Sequence, residues 1–240
     1  KFDANLANYS ATLKLPVAKA AGLGLPDSYL ATLPKKKGMY EIGSTPARFG
    51  PFMSYCNDAA WRKKMQLIVG KKGGKANLVL LEKLIKLHQE NAKLLGFPNH
   101  AAYVLDKRMA KTVDAVHDLH HEVSNAVSSL AKNDLNDIAQ MKKESGNASR
   151  LESHDVGFYT RLLQEKRYSL DPEEIRQYFQ LENVLATMFD VTKKLFGITI
   201  TPKKWKTWHA DTRSYEIKMG AKVMGYIIMD LHPRTGKYTH

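Results

Sequence analysis

Nine histidines among 240 residues invite a search for metal ligands. The sharpest pattern is His117-Asp118-Leu119-His120-His121. Two imidazoles four residues apart face the same way on a helix, the arrangement that HExxH metalloproteases use to hold zinc. Here the acid between them is Asp118, one methylene shorter than the glutamate that activates a zinc-bound water, and no third ligand is evident. The pattern therefore reads as the polar face of a surface helix, with His120 partly packed. Cys56 has no histidine pattern beside it and reads as a buried thiol. Ser10 and Ser54 lack the strand-turn-helix elbow of a nucleophilic serine. Gly22/Gly24 and Gly73/Gly74 lack the spacing and the following Lys-Ser/Thr of a phosphate-cradling loop. Glu173 and Glu174 suit the first turn of a helix better than a catalytic pair. Trp205-Lys206-Thr207-Trp208-His209-Ala210-Asp211-Thr212-Arg213 is denser in unusual residues than a loop requires. Its plainest reading is an aromatic plug beneath a hairpin, with Asp211 and Arg213 tied locally.

The elements that position these residues follow from punctuation and periodicity. Pro16, Pro26, Pro34, Pro46 and Pro51 crowd the first 60 residues, so short helices and extended links are expected there, with Asp27 capping one helix. Ser44-Thr45-Pro46 and Gly50-Pro51 mark turns, and Asn57 or Asp58 caps a helix through Trp61, Met65 and Ile68. Lys71 to Lys75 reads as a flexible loop. Leu78, Leu81, Leu84, Ile85, Leu87, Leu94 and Leu95 then share a helical face that ends at Gly96 and is expected to pack on a core. Asn99 or Pro98 opens another helix. Thr112 or Asp114 opens a third, whose face carries Val116, Leu119, Val123, Val127 and Leu130 and which runs to Ser145-Gly146-Asn147. Helices follow over Asp155 to Tyr168, after the Asp171-Pro172 start, and from Leu181 to Phe196. From Ile198 onward β-branched and aromatic residues take over, and Arg213 to Lys218 should pair with Lys222 to Leu231 across Met219-Gly220. The class is mainly α, with a small antiparallel hairpin or sheet near the C-terminus. Three regions follow: 1–76, irregular and Pro/Gly-rich with short helices; 77–197, a helical scaffold; and 198–240, the hairpin segment.

Composition bounds the function. A hydrophobic fraction of 43% fits a folded core, and one cysteine excludes an internal disulfide framework. The longest apolar run, Val223 to Leu231, is broken by Gly225 and Asp230 and is far short of a membrane span. Thirty-seven Lys and Arg against 24 Asp and Glu leave a net charge of +13, which favours anionic partners. The cations are scattered in Lys35 to Lys37, Arg62 to Lys64, Lys71-Lys72 and Lys203-Lys204, without the focused aromatic stripe of a nucleic-acid binder, so nucleic acid is not the expected partner. The chain opens on Lys1 and stops just after a Pro-Arg-Thr-Gly turn, and reads as a piece of something longer.

Five ordered blocks carry a resemblance: Lys93 to Tyr103 (KLLGFPNHAAY); Met109 to Thr112 (MAKT); Lys166-Arg167-Tyr168 with Tyr178-Phe179 and Leu181 to Val184; Trp208 to Arg213 (WHADTR); and Met229 to Tyr238 (MDLHPRTGKY). Over about Asn5 to His240 the chain resembles the thimet oligopeptidase family of zinc metallopeptidases, which includes neurolysin, mitochondrial intermediate peptidase and bacterial oligopeptidase A. The resemblance implies a prolate, multi-helix scaffold split by a channel for short peptides, and hydrolysis of their peptide bonds with zinc as cofactor. It also implies that the zinc ligands lie in an HExxH helix beyond the segment resembling Gly236 to His240; no HExxH occurs in these 240 residues. By the same token Tyr226 to Leu231 is a strand bordering the channel. Gly236, Lys237, Tyr238 and His240 meet substrate backbone by β-type pairing, and no catalytic or metal-binding residue lies in this chain. Alone it is expected to be inactive, to expose apolar surface and to need a complementary C-terminal half, in a cytoplasmic or mitochondrial setting rather than a secreted one. His232 stands where the family usually has tyrosine, and Thr239 where it usually has glycine, which implies altered specificity or decayed activity. The alternative is a non-catalytic, basic relic of the fold that binds peptide or protein.

Overall fold

The computed structural model describes residues 1–232 together with Arg234 and Lys237. They divide into two compact units, Lys1–Ser169 and Leu170 onward. The first unit runs α1 (Phe2–Ala7), β1 (Thr12–Pro16), α2 (Val17–Ala20), α3 (Asp27–Ala31), β2 (Lys35–Lys36), β3 (Met39–Gly43), α4 (Pro46–Tyr55), α5 (Ala59–Gly70), α6 (Gly74–Leu94), α7 (His100–Leu105), α8 (Val113–Glu144) and α9 (Val156–Tyr168). The second holds α10 (Pro172–Arg176), α11 (Leu181–Phe196), β4 (Ile198–Pro202), β5 (Arg213–Met219) and β6 (Lys222–Met229). The molecule is mainly helical, with an antiparallel three-stranded sheet near its C-terminus.

Local chemistry sets most boundaries. Asp58 accepts from the backbone N–H groups of Ala60 and Trp61 and so starts α5. Asn99 and Thr112 do the same for α7 and α8, through Ala102 and Ala115. Asp171 caps Pro172–Arg176, with proline in the first turn where its missing N–H costs nothing. At α3 the cap position belongs to Pro26, and Asp27 is the first helical residue, placed to favour the helix dipole.

Alternation near the N-terminus builds a sheet. Leu13 and Leu15 point inward from β1 and Tyr40 and Ile42 from β3, paired Leu13 to Ile42 and Leu15 to Tyr40. With β2 the order is β1-β3-β2. Phe52, Met53, Cys56 and Met65 of the α4–α5 stretch close over this sheet to form the main core. Gly50-Pro51 lies inside α4 rather than at a turn, because Pro46 starts the helix and Pro51 forfeits only one backbone bond within it. Lys71 to Lys75 is likewise less than a loop: α6 begins at Gly74, after Gly73 takes a φ of 84°.

A second, smaller core joins Ile138 of α8 to Phe158 and Tyr159 of α9. The long faces of α6 and α8 depart from expectation. Leu78 and Ile85 are 62% and 60% exposed, and Leu119, Val123, Val127 and Leu130 are exposed as well. These stripes have the helical period of a buried face, but no other element of the first unit covers them.

In the second unit, Tyr215 of β5 packs edge-on against Phe189 of α11, with ring centres 5.1 Å apart, and Leu185 is buried beside them. The strand order is β4-β5-β6, with a bulge at Ile217/Lys218, so β6 is an edge strand.

Candidate functional site

One face of the C-terminal sheet rests on α11, and the other carries Glu216 and Tyr226. On β6, Met224, Tyr226 and Ile228 alternate and are all exposed, so apolar side chains line a strand whose outer edge is unpaired among the described residues. Trp205 stands edge-on to Tyr226 at 4.5 Å, and Tyr226 lies opposite Glu216 in the register. Glu216 is buried between Lys218 at 2.8 Å and Lys203 at 3.3 Å. The hydrogen bond from Lys218 leads the effects that hold its carboxyl below the usual range, against the opposing effect of burial. Trp205 and Trp208 are both more than half exposed, so each lies at the surface rather than in the plug that residue types alone suggested. Arg213 reaches Glu182 in the first turn of α11 with two hydrogen bonds, of 2.6 and 2.9 Å, a tie far from local.

Asp230, the first residue past β6, gathers the segments on either side. Its two oxygens accept from Arg234 at 2.6 and 2.7 Å, Trp208 Nε1 donates to Oδ2 at 3.0 Å, and Lys237 Nζ lies 3.2 Å from Oδ1. Arg234 foremost, and then the Trp208 indole, hold the Asp230 carboxyl far below its ordinary value, so it stays ionised. Lys237 also donates to the backbone oxygens of Asp230 and His232. Of the residues expected to meet peptide backbone, Lys237 is thus turned onto Asp230, while Gly236, Tyr238 and His240 lie outside the described residues. The signal for the Asp230 cluster was in the sequence, as an acid four residues before Arg234 and seven before Lys237, but its tie to Trp208 spans 22 residues.

The first unit holds an ionic cluster of a different kind. Asp155 accepts from Arg62 and Lys142, each at 2.6 Å, with all three side chains nearly sealed from water. Arg62 also donates to the carbonyls of Cys56 and His154, and Lys142 to that of Arg150. Burial alone would raise the Asp155 carboxyl, but the hydrogen bonds from Lys142 and Arg62 outweigh it and hold it below the usual range. The result joins α5, α8 and the start of α9. Nearby Cys56 is fully buried and its thiol is pushed up to about 11, chiefly by burial, so it is a neutral packing residue rather than a nucleophile.

His117, His120 and His121 are all exposed along α8, so His120 is not packed as its position on the helix suggested. Among the described residues no three His, Cys, Asp or Glu side chains converge as metal ligands would. The described residues of this chain do not fit a zinc centre. No helix among the described residues is long and apolar enough to cross a membrane.

Comparison with known proteins gives this geometry a context. The model for peptidase family M3 matches residues 52–240. The thimet-like oligopeptidase of Dictyostelium discoideum is 28% identical over 256 residues, covering all of this chain and 38% of that protein. Oligopeptidase A of Escherichia coli is 27% identical over 239 residues, covering 93% of this chain and 35% of that protein. The probable cytosolic oligopeptidase A of Arabidopsis thaliana is 31% identical over 175 residues, covering 70% of this chain and 25% of that protein. The chain therefore spans about a third of the length of the curated relatives it matches.

Proposed function

Because this chain belongs to peptidase family M3, we propose that it supplies scaffold and one peptide-binding wall to a zinc-dependent oligopeptidase that hydrolyses short peptides. In this reading residues 1–76 and 77–197 are scaffold, and 198–240 border the substrate. The observation that carries it is the open edge of β6, with Met224, Tyr226, Ile228 and Trp205 exposed beside it. An edge strand offers backbone donors and acceptors to any extended peptide, whatever its side chains, which suits an enzyme of broad sequence tolerance. Gly236, Lys237, Tyr238 and His240 are proposed as further contacts to the substrate backbone. The zinc ligands and the glutamate base come from polypeptide outside these 240 residues, and that same polypeptide covers the exposed stripes of α6 and α8. A cytosolic or organellar setting follows the kinds of relatives matched.

Hydrogen exchange of the chain with and without an unstructured ten-residue peptide tests the wall. Slowed exchange confined to residues 222–229 is expected; unchanged exchange there contradicts it. Co-expression with a family segment bearing HExxH should give a complex, with Leu81→Asp/Ile85→Asp disrupting it. The second reading, a non-catalytic module whose net charge of +13 draws acidic peptide, is favoured instead if no such segment restores hydrolysis.

A further inference from the structure

The outward face of the N-terminal sheet carries lysines on both flanks. Lys14 of β1 stands opposite Glu41 of β3, and Lys36 of β2 stands opposite Met39. Since β3 is the middle strand, the two outer backbones run about 9–10 Å apart, two strand spacings, with Met39 and Glu41 as the floor between them. Lys14, Lys36, Lys37, Met39 and Glu41 line an open cleft of about 370 Å³. Glu41 answers one cation, with Lys36 Nζ 3.3 Å from Oε2. Among the described residues neither Lys14 nor Lys37 has an ion-pair partner. Lys35 is drawn away, its ammonium 5.1 Å from the centre of the Tyr40 ring.

Lysines on edge strands serve elsewhere to keep sheets from joining edge to edge, and that would account for Lys14 and Lys36. It does not account for Lys37. Lys37-Gly38 is the two-residue turn between β2 and β3, and both residues have positive φ, 46° and 73°. The first position of such a turn favours Asn, Asp or Gly, and a lysine there holds its Cβ against the backbone. A positive charge kept at a strained position, at the mouth of a cleft already lined by two more, points to something that charge does.

We propose that this cleft binds a compact polyphosphate anion, with Lys14, Lys36 and Lys37 as its ligands. The three ammonium groups against one carboxylate leave net positive charge over a small volume. A di- or triphosphate delivers several negative charges within that volume, whereas an acidic peptide spreads them along its length. Lysine binds phosphate as a point charge and needs no fixed fork geometry, which suits side chains converging from two strands and a turn.

The test is calorimetric titration of the 240-residue chain with inorganic pyrophosphate, and in a parallel arm with ADP, at physiological salt. Saturable binding with one site per chain is expected. Tighter binding of ADP marks a nucleotide as the source of the phosphates, and tighter pyrophosphate an inorganic one. Lys37→Asn should weaken binding by about tenfold, the scale of one charge-assisted contact, while raising the melting temperature because asparagine relaxes at positive φ. Lys71→Asn makes the same charge change on another turn and should leave affinity within about twofold, as generic charge is screened. Absence of pyrophosphate binding overturns the proposal, as does equal weakening by the two variants or a fall in both affinity and melting temperature for Lys37→Asn. Displacement of pyrophosphate by a glutamate-rich decapeptide at lower concentration would also overturn it, in favour of acidic peptide.

Discussion

Asp155 and Asp230 are each held by two cations, yet they stand in opposite surroundings. The Asp155 side chain is 2% exposed and that of Asp230 17%. The buried carboxylate has Arg62 and Lys142 sealed in with it, so each of its partners depends on it for charge compensation. The outer one ties Trp208, Arg234 and Lys237 at the end of β6, where water can take over from any of them. The same chemistry therefore serves stability in one unit and local positioning in the other.

The comparison breaks first at Asp155→Ala. This leaves two cations unpaired in a dry site and should lower unfolding free energy by about 3–5 kcal/mol in urea titrations; a loss under about 1 kcal/mol would deny the cluster its structural role. Acid sharpens the same point. The folded Asp155 carboxyl sits below its ordinary value, so its contribution is present above the unfolded value, about 3.9, and is lost as pH falls through the lower, folded one. Urea midpoints taken from about pH 6 to about pH 3 should fall, and Asp155→Asn should flatten that limb. Smaller again, Asp58→Ala removes a helix cap and should cost about 1 kcal/mol in urea titrations at neutral pH. Asp230→Asn should lower the urea midpoint least of these variants, since water can replace the carboxylate at its partly exposed site. Its readout is Trp208 fluorescence anisotropy, with Trp61 and Trp205 replaced by phenylalanine, which should drop as the indole loses its acceptor.

What the sequence made legible was local. Asp58, Asn99, Thr112 and Asp171 cap helices because a cap acts within three residues, and the hairpin of β5 and β6 turns where Met219-Gly220 says it should. The buried cluster was illegible for the opposite reason. Arg62 begins the triplet Arg62-Lys63-Lys64 and reads as surface charge, and Lys142 precedes another lysine. Only the packing of α5 and α8 around Asp155, 93 residues from Arg62, selects these two for burial. The sheet of β1 and β3 escaped notice because alternation over five residues is weak without its distant partner. The stripes of α6 and α8 were legible as faces but not as exposed ones, since periodicity says which residues want cover and not what provides it. Near the C-terminus, a strand over Tyr226 to Leu231 was expected from the resemblance and β6 occupies Lys222–Met229, whereas its open edge and the turn of Lys237 onto Asp230 needed coordinates.

The most direct test of the central claim is to measure bound zinc per chain, together with cleavage of a quenched fluorescent short peptide, on the purified 240-residue polypeptide alone and in complex with an HExxH-bearing family segment. Neither stoichiometric zinc nor cleavage is expected for the chain alone, and both are expected for the complex. One zinc per chain with turnover by the 240 residues unaided would contradict that claim.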